Sequence, residues 1–348
     1  LTRKRNQPFV PKESVMYRFK LPVVVLAVAL ATVPVVSDVC ADWTQFALPN
    51  LSGAFAPTAV TVLPDGRYVF ANQGAYYQQN SFGAAGYTAY SNVSPGNSAD
   101  PSFLAVWDAT HAVAGGGGFG SSDLYRFNPS SISAPTFVAQ SLSLNNYSGV
   151  FRDADGLYVG GGNSAGGTHG IAYVDLNTAT TKLIITNIST YSCGFARDAA
   201  GNLYVGDNDD QKVYKFTAAQ LSLAIAGTPL TIEDGTFVYQ SGNSLGTMAV
   251  DGLGRIWSTG YLANGLQMYD PFSNTETSVI PGLTNRNYLV TTFSVGGLDY
   301  VAYTDQANPF QGGTAQYYGF IAVPEPGTVG LVIAGLAFLG VSRRNYRR

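Results

Sequence analysis

The chain predicts an all-β fold: a six-bladed β-propeller of four-stranded blades, flanked by an N-terminal signal helix and a C-terminal membrane helix. Three observations point there. A unit of strand, Asp/Gly turn, aromatic strand and loop recurs through the middle of the 348 residues. Taking Tyr68, Ala112, Tyr158, Tyr204, Trp257 and Tyr300 as equivalent, the steps are 44, 46, 46, 53 and 43 residues, the spacing of propeller blades. The composition is that of packed sheet with short loops: 46% hydrophobic, only 12% charged, with 40 glycines and 22 tyrosines.

The first segments are not part of that body. Residues 1–15 read as an upstream extension before Met16. From Met16 a short basic stretch (Arg18, Lys20) leads into an apolar run from Leu21 to Val36 and a small-residue exit at Val39-Cys40-Ala41. Basic start, apolar middle and small-residue exit make residues 16–41 a secretory signal peptide, cut by signal peptidase after Ala41. Cys193 is then the one remaining thiol, so stability after export has to come from packing rather than an internal disulfide.

Residues 42–322 form the repeat. Its copies run Ala59–Val69, Gly149–Val159, Gly194–Val205, Ala249–Trp257 and Thr292–Val301, with a degenerate copy at Ala105–Trp107 and Ala112–Ala114. Third strands follow at Leu124–Asn128, Ile171–Asp175, Val213–Phe216 and Leu266–Asp270, and fourth strands at Thr136–Ala139, Lys182–Thr186, Val238–Gln240 and Thr277–Ile280. Trp43–Leu48 is the segment available to complete the last blade and close the ring. Helical periodicity is essentially absent between the two apolar ends.

Charge separates the body from its ends. Ten of the 19 basic residues but only two of the 22 acidic ones lie in residues 1–41 and 327–348, which leaves residues 42–326 with nine basic and twenty acidic groups, a formal charge of −11. Such a body repels phosphate backbones, so nucleic acid is excluded as a partner. Two histidines and two cysteines leave little material for a zinc centre or a disulfide framework.

Residues 323–348 have three parts in order: Pro324-Glu325-Pro326, an apolar run from Gly327 to Val341, and a basic stop of Arg343, Arg344, Arg347 and Arg348. This tail resembles the PEP-CTERM sorting signal of Gram-negative bacteria that make extracellular polysaccharide. The resemblance implies transient membrane insertion by the C-terminal helix and recognition by exosortase, a membrane cysteine-protease-like enzyme. It further implies passage from an inner-membrane intermediate to the cell surface or extracellular matrix, where exopolysaccharide or a surface protein is the expected partner.

Asn202–Asp207 followed by Lys212–Phe216 resembles an NHL repeat or a gluconolactonase-type blade. That likeness implies the broad six-bladed superfamily rather than one activity. In its gluconolactonase-like enzymes a divalent metal is held in the central channel by a Glu with Asn and Asp residues. The body and its boundary offer only Glu233, Glu276 and Glu325; the first two read as outer-turn or fourth-strand residues, so that acidic ligand is not visible.

The chemistry expected of the body follows from propeller geometry. Connections between second and third strands, and those between blades, open on one face. There the sequence places Tyr76, Tyr77, Asn146, Tyr147, His169, Tyr191, Asn243 and Tyr261, flat aromatic and amide groups suited to sugars or peptides. Asp207, Asp209 and Asp210 form the densest acidic cluster, a weak candidate for Ca2+ or another divalent metal; an EF-hand is excluded because Lys212 and Ala218 stand where glycine and glutamate are needed. His111 and His169 fall in different blades, and spacing shows no His–carboxylate pair. Gly162–Gly166 and Gly242–Gly246 fit G-x-S-x-G but lack the strand-to-helix turn a nucleophile elbow needs, and Gly115–Gly120 opens no helix to receive a phosphate. No catalytic residue and no required cofactor emerge. The body reads as a carbohydrate- or protein-binding module rather than an enzyme, the alternative being a metal-dependent lactonase or lyase-like propeller.

Overall fold

A five-residue turn recurs between the first two strands of several units, and its hydrogen bonds show why the Asp/Gly signal repeats. In Leu63–Arg67, Asp198–Asn202 and Asp251–Arg255 the first N–H donates to the fifth carbonyl and the fourth N–H to the first carbonyl. The fourth residue is Gly66, Gly201 or Gly254, at φ +84°, +84° and +79°, a left-handed conformation that glycine adopts without penalty. In the degenerate copy, Trp107–His111 keeps the outer bond but has no glycine. There the Asp108 carboxylate holds the turn by accepting from the N–H groups of Thr110 and His111, at 2.7 and 2.9 Å.

These turns sit in a computed structural model that describes residues 45–47, 59–72, 75–84, 86–90, 103–115, 123–131, 136–140, 148–161, 169–188, 194–243, 245–259, 265–280, 290–306 and 316–323. Their strands form six sheets, each built on a blade of four antiparallel strands a to d counted outward. Blade 1 is Ala59–Val62, Tyr68–Asn72, Ala75–Gln79 and Tyr87–Tyr90. Blade 2 is Leu104–Val106, Ala112–Gly115, Asp123–Phe127 and Thr136–Gln140, and blade 3 is Ser148–Asp153, Gly156–Gly161, Gly170–Asp175 and Thr180–Thr186. Blade 4 is Phe195–Arg197, Leu203–Asp207, Lys212–Phe216 and Thr236–Gln240, and blade 5 is Thr247–Val250, Ile256–Thr259, Leu266–Asp270 and Thr275–Ile280. Blade 6 takes Val290–Val295, Leu298–Gln306 and Gln316–Ala322 from the end of the body and Gln45–Ala47 from its start. Each a strand touches the a strand of the next blade, and that of blade 6 touches that of blade 1, so the ring is closed. The expected all-β, six-bladed architecture is therefore found, with Gln45–Ala47, inside the segment expected to close the ring, as the fourth strand of the last blade. The signal and membrane helices lie outside the described residues.

The ring is held by six apolar clusters, one in each seam between neighbouring blades. Strand alternation builds them, because successive side chains point to opposite faces of a blade. It also corrects the alignment of the repeats. Counted from the shared turn, Tyr68 and Ala112 match Leu203 and Ile256, not Tyr204 and Trp257. Tyr68 packs with Tyr300 and Ala302 of the preceding blade, whereas Tyr204 packs with Met248 and Tyr269 of the following one. A shift of one residue moves the side chain to the other seam.

The 53-residue step has a structural cause. Blade 4 inserts a helix, Ala218–Ala226, between strands c and d, a departure from the expected absence of helix. It is nine residues long and shows little apolar periodicity, yet its start is signalled in the sequence. Thr217 and Gln220 form a capping box: the Gln220 N–H donates to Thr217 Oγ1 at 3.2 Å and the Thr217 N–H to Gln220 Oε1 at 2.9 Å. Leu221 and Ala224 bury into the seam between blades 3 and 4. The segment then adds Leu230–Thr231 as a parallel strand on the outer edge of blade 3, and Lys182 of blade 3 donates to the Ile225 carbonyl at the helix C-terminus, 2.7 Å away. The insertion covers an edge that would otherwise expose unpaired backbone groups.

Seams are tight where glycine lies against an aromatic ring. A Cβ at Gly149, in strand a of blade 3, would come within 2.2 Å of a ring carbon of Phe103 in blade 2. Gly149→Ala is therefore expected to lower unfolding free energy by about 1–3 kcal/mol through overpacking, measured by urea denaturation. Adding Phe103→Leu should recover part of that loss, and an unchanged midpoint in Gly149→Ala would refute the seam geometry.

Candidate functional site

In an antiparallel blade, strand a runs from one face to the other and strand b returns. The b–c connections and the connections between blades therefore share one face, and the a–b and c–d turns share the other. The first is the loop face, where the sequence analysis placed its ligand-binding residues.

Blade 1 contributes less to this face than expected. Strand c begins at Ala75, so Tyr76 and Tyr77 are strand residues rather than loop residues. Tyr76 is buried against Phe127, with ring centroids 5.4 Å apart, and Tyr77 stacks on Phe70 at 4.9 Å. Tyr76 is thereby removed from the ligand face, because the b–c connection of blade 1 spans only positions 73–74. His169 is half-buried at the start of strand c of blade 3, and Asn243 is half-buried in the connection from blade 4 to blade 5. Asn146, Tyr147, Tyr191 and Tyr261 lie outside the described residues, as do Pro324, Glu325 and Pro326 and the arginines Arg343, Arg344, Arg347 and Arg348.

The best-defined part of the loop face joins the b–c connection of blade 4 to the passage into blade 5. Asn208 Oδ1 accepts from the Leu245 N–H at 2.6 Å, and the Ser241 N–H donates to the Gln211 carbonyl at 2.8 Å. Gln211 adopts φ +57°. Glu276, on strand d of blade 5, receives the Ser241 hydroxyl at 2.6 Å and the Gly242 N–H at 3.0 Å. The Gly246 N–H donates to Thr259, and the Thr247 and Thr259 hydroxyls lie 2.7 Å apart. Buried Ser241 and Thr259 thus belong to polar contacts that fix the passage between blades 4 and 5. Sequence reasoning missed Asn208, Ser241 and Glu276. The signal for Asn208 was its place inside the Asp-Asn-Asp-Asp run; nothing local marks Glu276, whose partners lie more than thirty positions away.

The acidic run does not converge. Asp207 is buried at the end of strand b and accepts the Asp209 N–H at 3.1 Å. Burial pushes its carboxyl above the usual carboxylate range; the neighbouring Asp209 and Asp210 charges add to this, while the Asp209 N–H and Lys212 oppose it. Asp210 turns instead to Lys212, whose ammonium is 2.8 Å away. Among the described residues no group of three His, Cys, Asp or Glu side chains stands close enough to hold a metal ion. The donor set of Asp207, Asp209 and Asp210 therefore does not fit a calcium site as it stands.

One His–carboxylate pair exists that spacing did not disclose. His111 Nδ1 lies 2.9 and 3.0 Å from the two Asp108 oxygens, in the a–b turn of blade 2 on the face opposite the loops. The carboxylate is held well below the usual range by the Thr110 N–H first and the His111 side chain second. Its contacts are those of a turn anchor. Asp251 does the same work in blade 5, where it accepts from the Leu253 and Arg255 N–H groups, the Arg255 guanidinium at 2.7 Å and the Trp257 indole at 2.9 Å.

A carboxyl whose folded value is raised contributes stability below its unfolded value and loses it as pH rises through the folded value. Asp207→Asn, which keeps an acceptor for the Asp209 N–H, is expected to raise the urea midpoint at neutral pH. It should also flatten the fall of that midpoint between the acid range and neutrality. A lowered midpoint at neutral pH is the contrary outcome, the sign of a cation held on that carboxylate.

Comparison with known proteins adds two findings. Residues 322–348 match a model of the PEP-CTERM protein-sorting motif, whose processing partner is exosortase and which marks export with membrane-associated sorting. No curated protein matches the chain by sequence. The body is similar in structure to a calcium-binding protein, regucalcin, from Agrobacterium tumefaciens, with TM-score 0.60 and 12% identity over 81% of this chain and 95% of that one. It is also similar to the PQQ-bound form of an aldose sugar dehydrogenase from Streptomyces coelicolor (TM-score 0.56, 14% identity, 81% of this chain and 98% of that one). A luciferin-regenerating enzyme gives TM-score 0.57 and 11% identity over 82% and 96%. At such identities the likeness concerns the fold alone. The chain is a six-bladed propeller, similar in fold to these proteins, whose residues 322–348 carry a PEP-CTERM sorting motif.

Proposed function

We propose that this is an exported propeller delivered by exosortase to the cell surface or extracellular matrix, where its loop face binds carbohydrate or protein without catalysis. The observation that carries the reading is the sorting motif placed directly behind the last strand. Strand c of blade 6 ends at Ala322 and the motif begins there, so the folded body is the cargo and the tail its address. Signal peptidase removes residues 16–41 at the start of this route, and the apolar run Gly327–Val341 enters the membrane while Arg343, Arg344, Arg347 and Arg348 stay on the cytoplasmic side. Binding rather than turnover is favoured by the character of the loop face. Asn208 and Glu276 there pin connections together, and the acidic run is split between a buried carboxyl and a lysine pair.

The second reading, a metal-dependent lactonase or lyase-like enzyme, draws on the neighbours, which include a protein described as calcium-binding and two described as enzymes. Elemental analysis of the exported protein separates the two. Less than a stoichiometric amount of divalent metal is expected; stoichiometric metal that a chelator removes with loss of thermal stability would establish the second reading.

For the address, Glu325→Gln or removal of residues 324–348 is expected to leave the propeller folded but change its size on gels and its destination, followed by fractionating cells into membrane, surface and medium. Unchanged size and distribution would overturn the sorting claim.

A further inference from the structure

Both ends of the folded body reach the turn face at one spot. Strand c of blade 6 arrives there at Ala322, and the next residue, Val323, donates its N–H to the Asp299 carbonyl at 2.7 Å. The closing strand starts beside it, since Gln45 lies opposite Ile321. Beyond Val323 only Pro324, Glu325 and Pro326 precede the apolar run Gly327–Val341. Three extended residues span at most about 10 Å. An apolar segment entering a bilayer after Pro326 therefore draws this face close to the membrane surface, and one entering ahead of Gln45 draws the same face.

Exposed apolar side chains stand on this face in blades 5 and 6. Leu298, 52% exposed, immediately precedes Asp299. Leu253, 47% exposed, stands in the blade 5 turn whose Gly252 abuts Asp299, where a Cβ would lie 3.3 Å from Oδ2. Phe272, in the c–d turn of blade 5 on the same face, is 98% exposed. Among the described residues none of the exposed Leu, Phe or Trp side chains belongs to a b–c or inter-blade connection. The other exposed ones are Trp107 in the a–b turn of blade 2, Phe137 and Phe237 on outer strands, and Leu223 on the helix.

We propose that the turn face of blades 5 and 6 seats on a lipid bilayer, with Leu253, Phe272 and Leu298 dipping into the boundary between headgroups and acyl chains around the point where the chain enters. This rests on the reading of an apolar end segment as membrane-entering. A bilayer suits the patch because the three side chains stand on separate turn tips, as interfacial anchors do, rather than lining a groove for a peptide. The tether holds the face at high effective concentration, so a small apolar contact suffices. Asp270 and Asp299 beside these residues disfavour an anionic surface, so the seat is a zwitterionic one. The loop face then points away from the membrane, toward whatever the propeller binds.

The test uses the full chain with Cys40→Ser and Cys193→Ser, labelled with an environment-sensitive fluorophore at Phe272→Cys, Leu298→Cys or, on the opposite face, Asp209→Cys. Each is reconstituted into phosphatidylcholine–phosphatidylethanolamine vesicles carrying nitroxide lipids. All variants should float with the vesicles, and the labels at 272 and 298 should be quenched several-fold more than the label at 209. Leu253→Ser should reduce quenching at 272 without altering near-ultraviolet circular dichroism, since the side chain is exposed. Flotation with equal quenching on both faces overturns the seat and leaves the anchoring intact. Failure to float overturns the membrane-entering reading and the seat with it. A label shielded by self-association instead, seen as a dimer by light scattering without vesicles, also overturns the proposal by assigning the patch to a second copy.

Discussion

Everything in this propeller depends on one three-residue strand pairing. Gln45–Ala47 lies antiparallel to Gln316–Ala322 and supplies the outermost strand of a blade whose other three come from the far end of the body. Without it the last blade has three strands and an open edge, and nothing but seam packing holds blade 6 to blade 1. Closure of this kind joins residues more than 270 positions apart, a contact whose loop entropy must be met before it stabilises anything. The seam it protects is correspondingly well packed. Phe82 of blade 1 meets Phe293 and Tyr300 of blade 6 at 5.9 and 5.3 Å, and Gly66 leaves just enough room for that aromatic group.

Closure also explains why the low charge content is tolerable. Each blade is covered on both faces by its neighbours, so side chains of both strand parities are buried and few positions remain where a charge meets water. What charge there is has been moved into turns. Arg67 and Asp65, Arg255 and Asp251, and Lys212 and Asp210 all pair within five residues of each other, and such pairs shape loops more than they stabilise the whole. Among the polar groups that do become buried, Gln78 and Gln79 reach backbone carbonyls: Gln78 donates to Pro129 in blade 2 at 2.8 Å, and Gln79 to Ala84 at 2.6 Å.

Blade number and strand order were legible in the sequence because they depend on local chemistry that recurs along the body, and the closing segment because the last unit lacked a fourth strand. The Asp/Gly turn is visible because φ near +80° demands glycine, and three of the four expected third strands because Asn128, Asp175 or Asp270 closes them. What was not legible depends on register or on distance. Tyr68 and Tyr204 look alike in sequence, yet one residue of offset sends them to different seams. Tyr76 was placed in a loop because strand c of blade 1 starts only two residues after strand b ends, leaving no polar stretch to mark the boundary. The His111–Asp108 pair was hidden by a turn without glycine, which brings positions i and i+3 together as no strand would. The helix at Ala218 is too short to show a period, and only its Thr-x-x-Gln start betrays it. Glu276 is beyond any local signal, because its role is to hold a connection that belongs to the preceding blade.

The two faces of the ring therefore carry different obligations. The a–b turns are short and repeated, and the chain enters and leaves beside them; the loop face carries cross-links between connections such as Asn208 to Leu245. A propeller anchored through a loop-face segment would hide its variable surface against the anchor. Here, strand parity prevents that. With three strands of blade 6 in the C-terminal part, the last must end on the turn face, and the N-terminal strand that pairs antiparallel to it must begin there. Had the ring been closed by two strands from the start of the chain instead of one, the sorting motif would leave from the loop face. The single closing strand thus decides two things at once: it seals the sheet edge, and it puts the address on the side of the molecule that has least else to do.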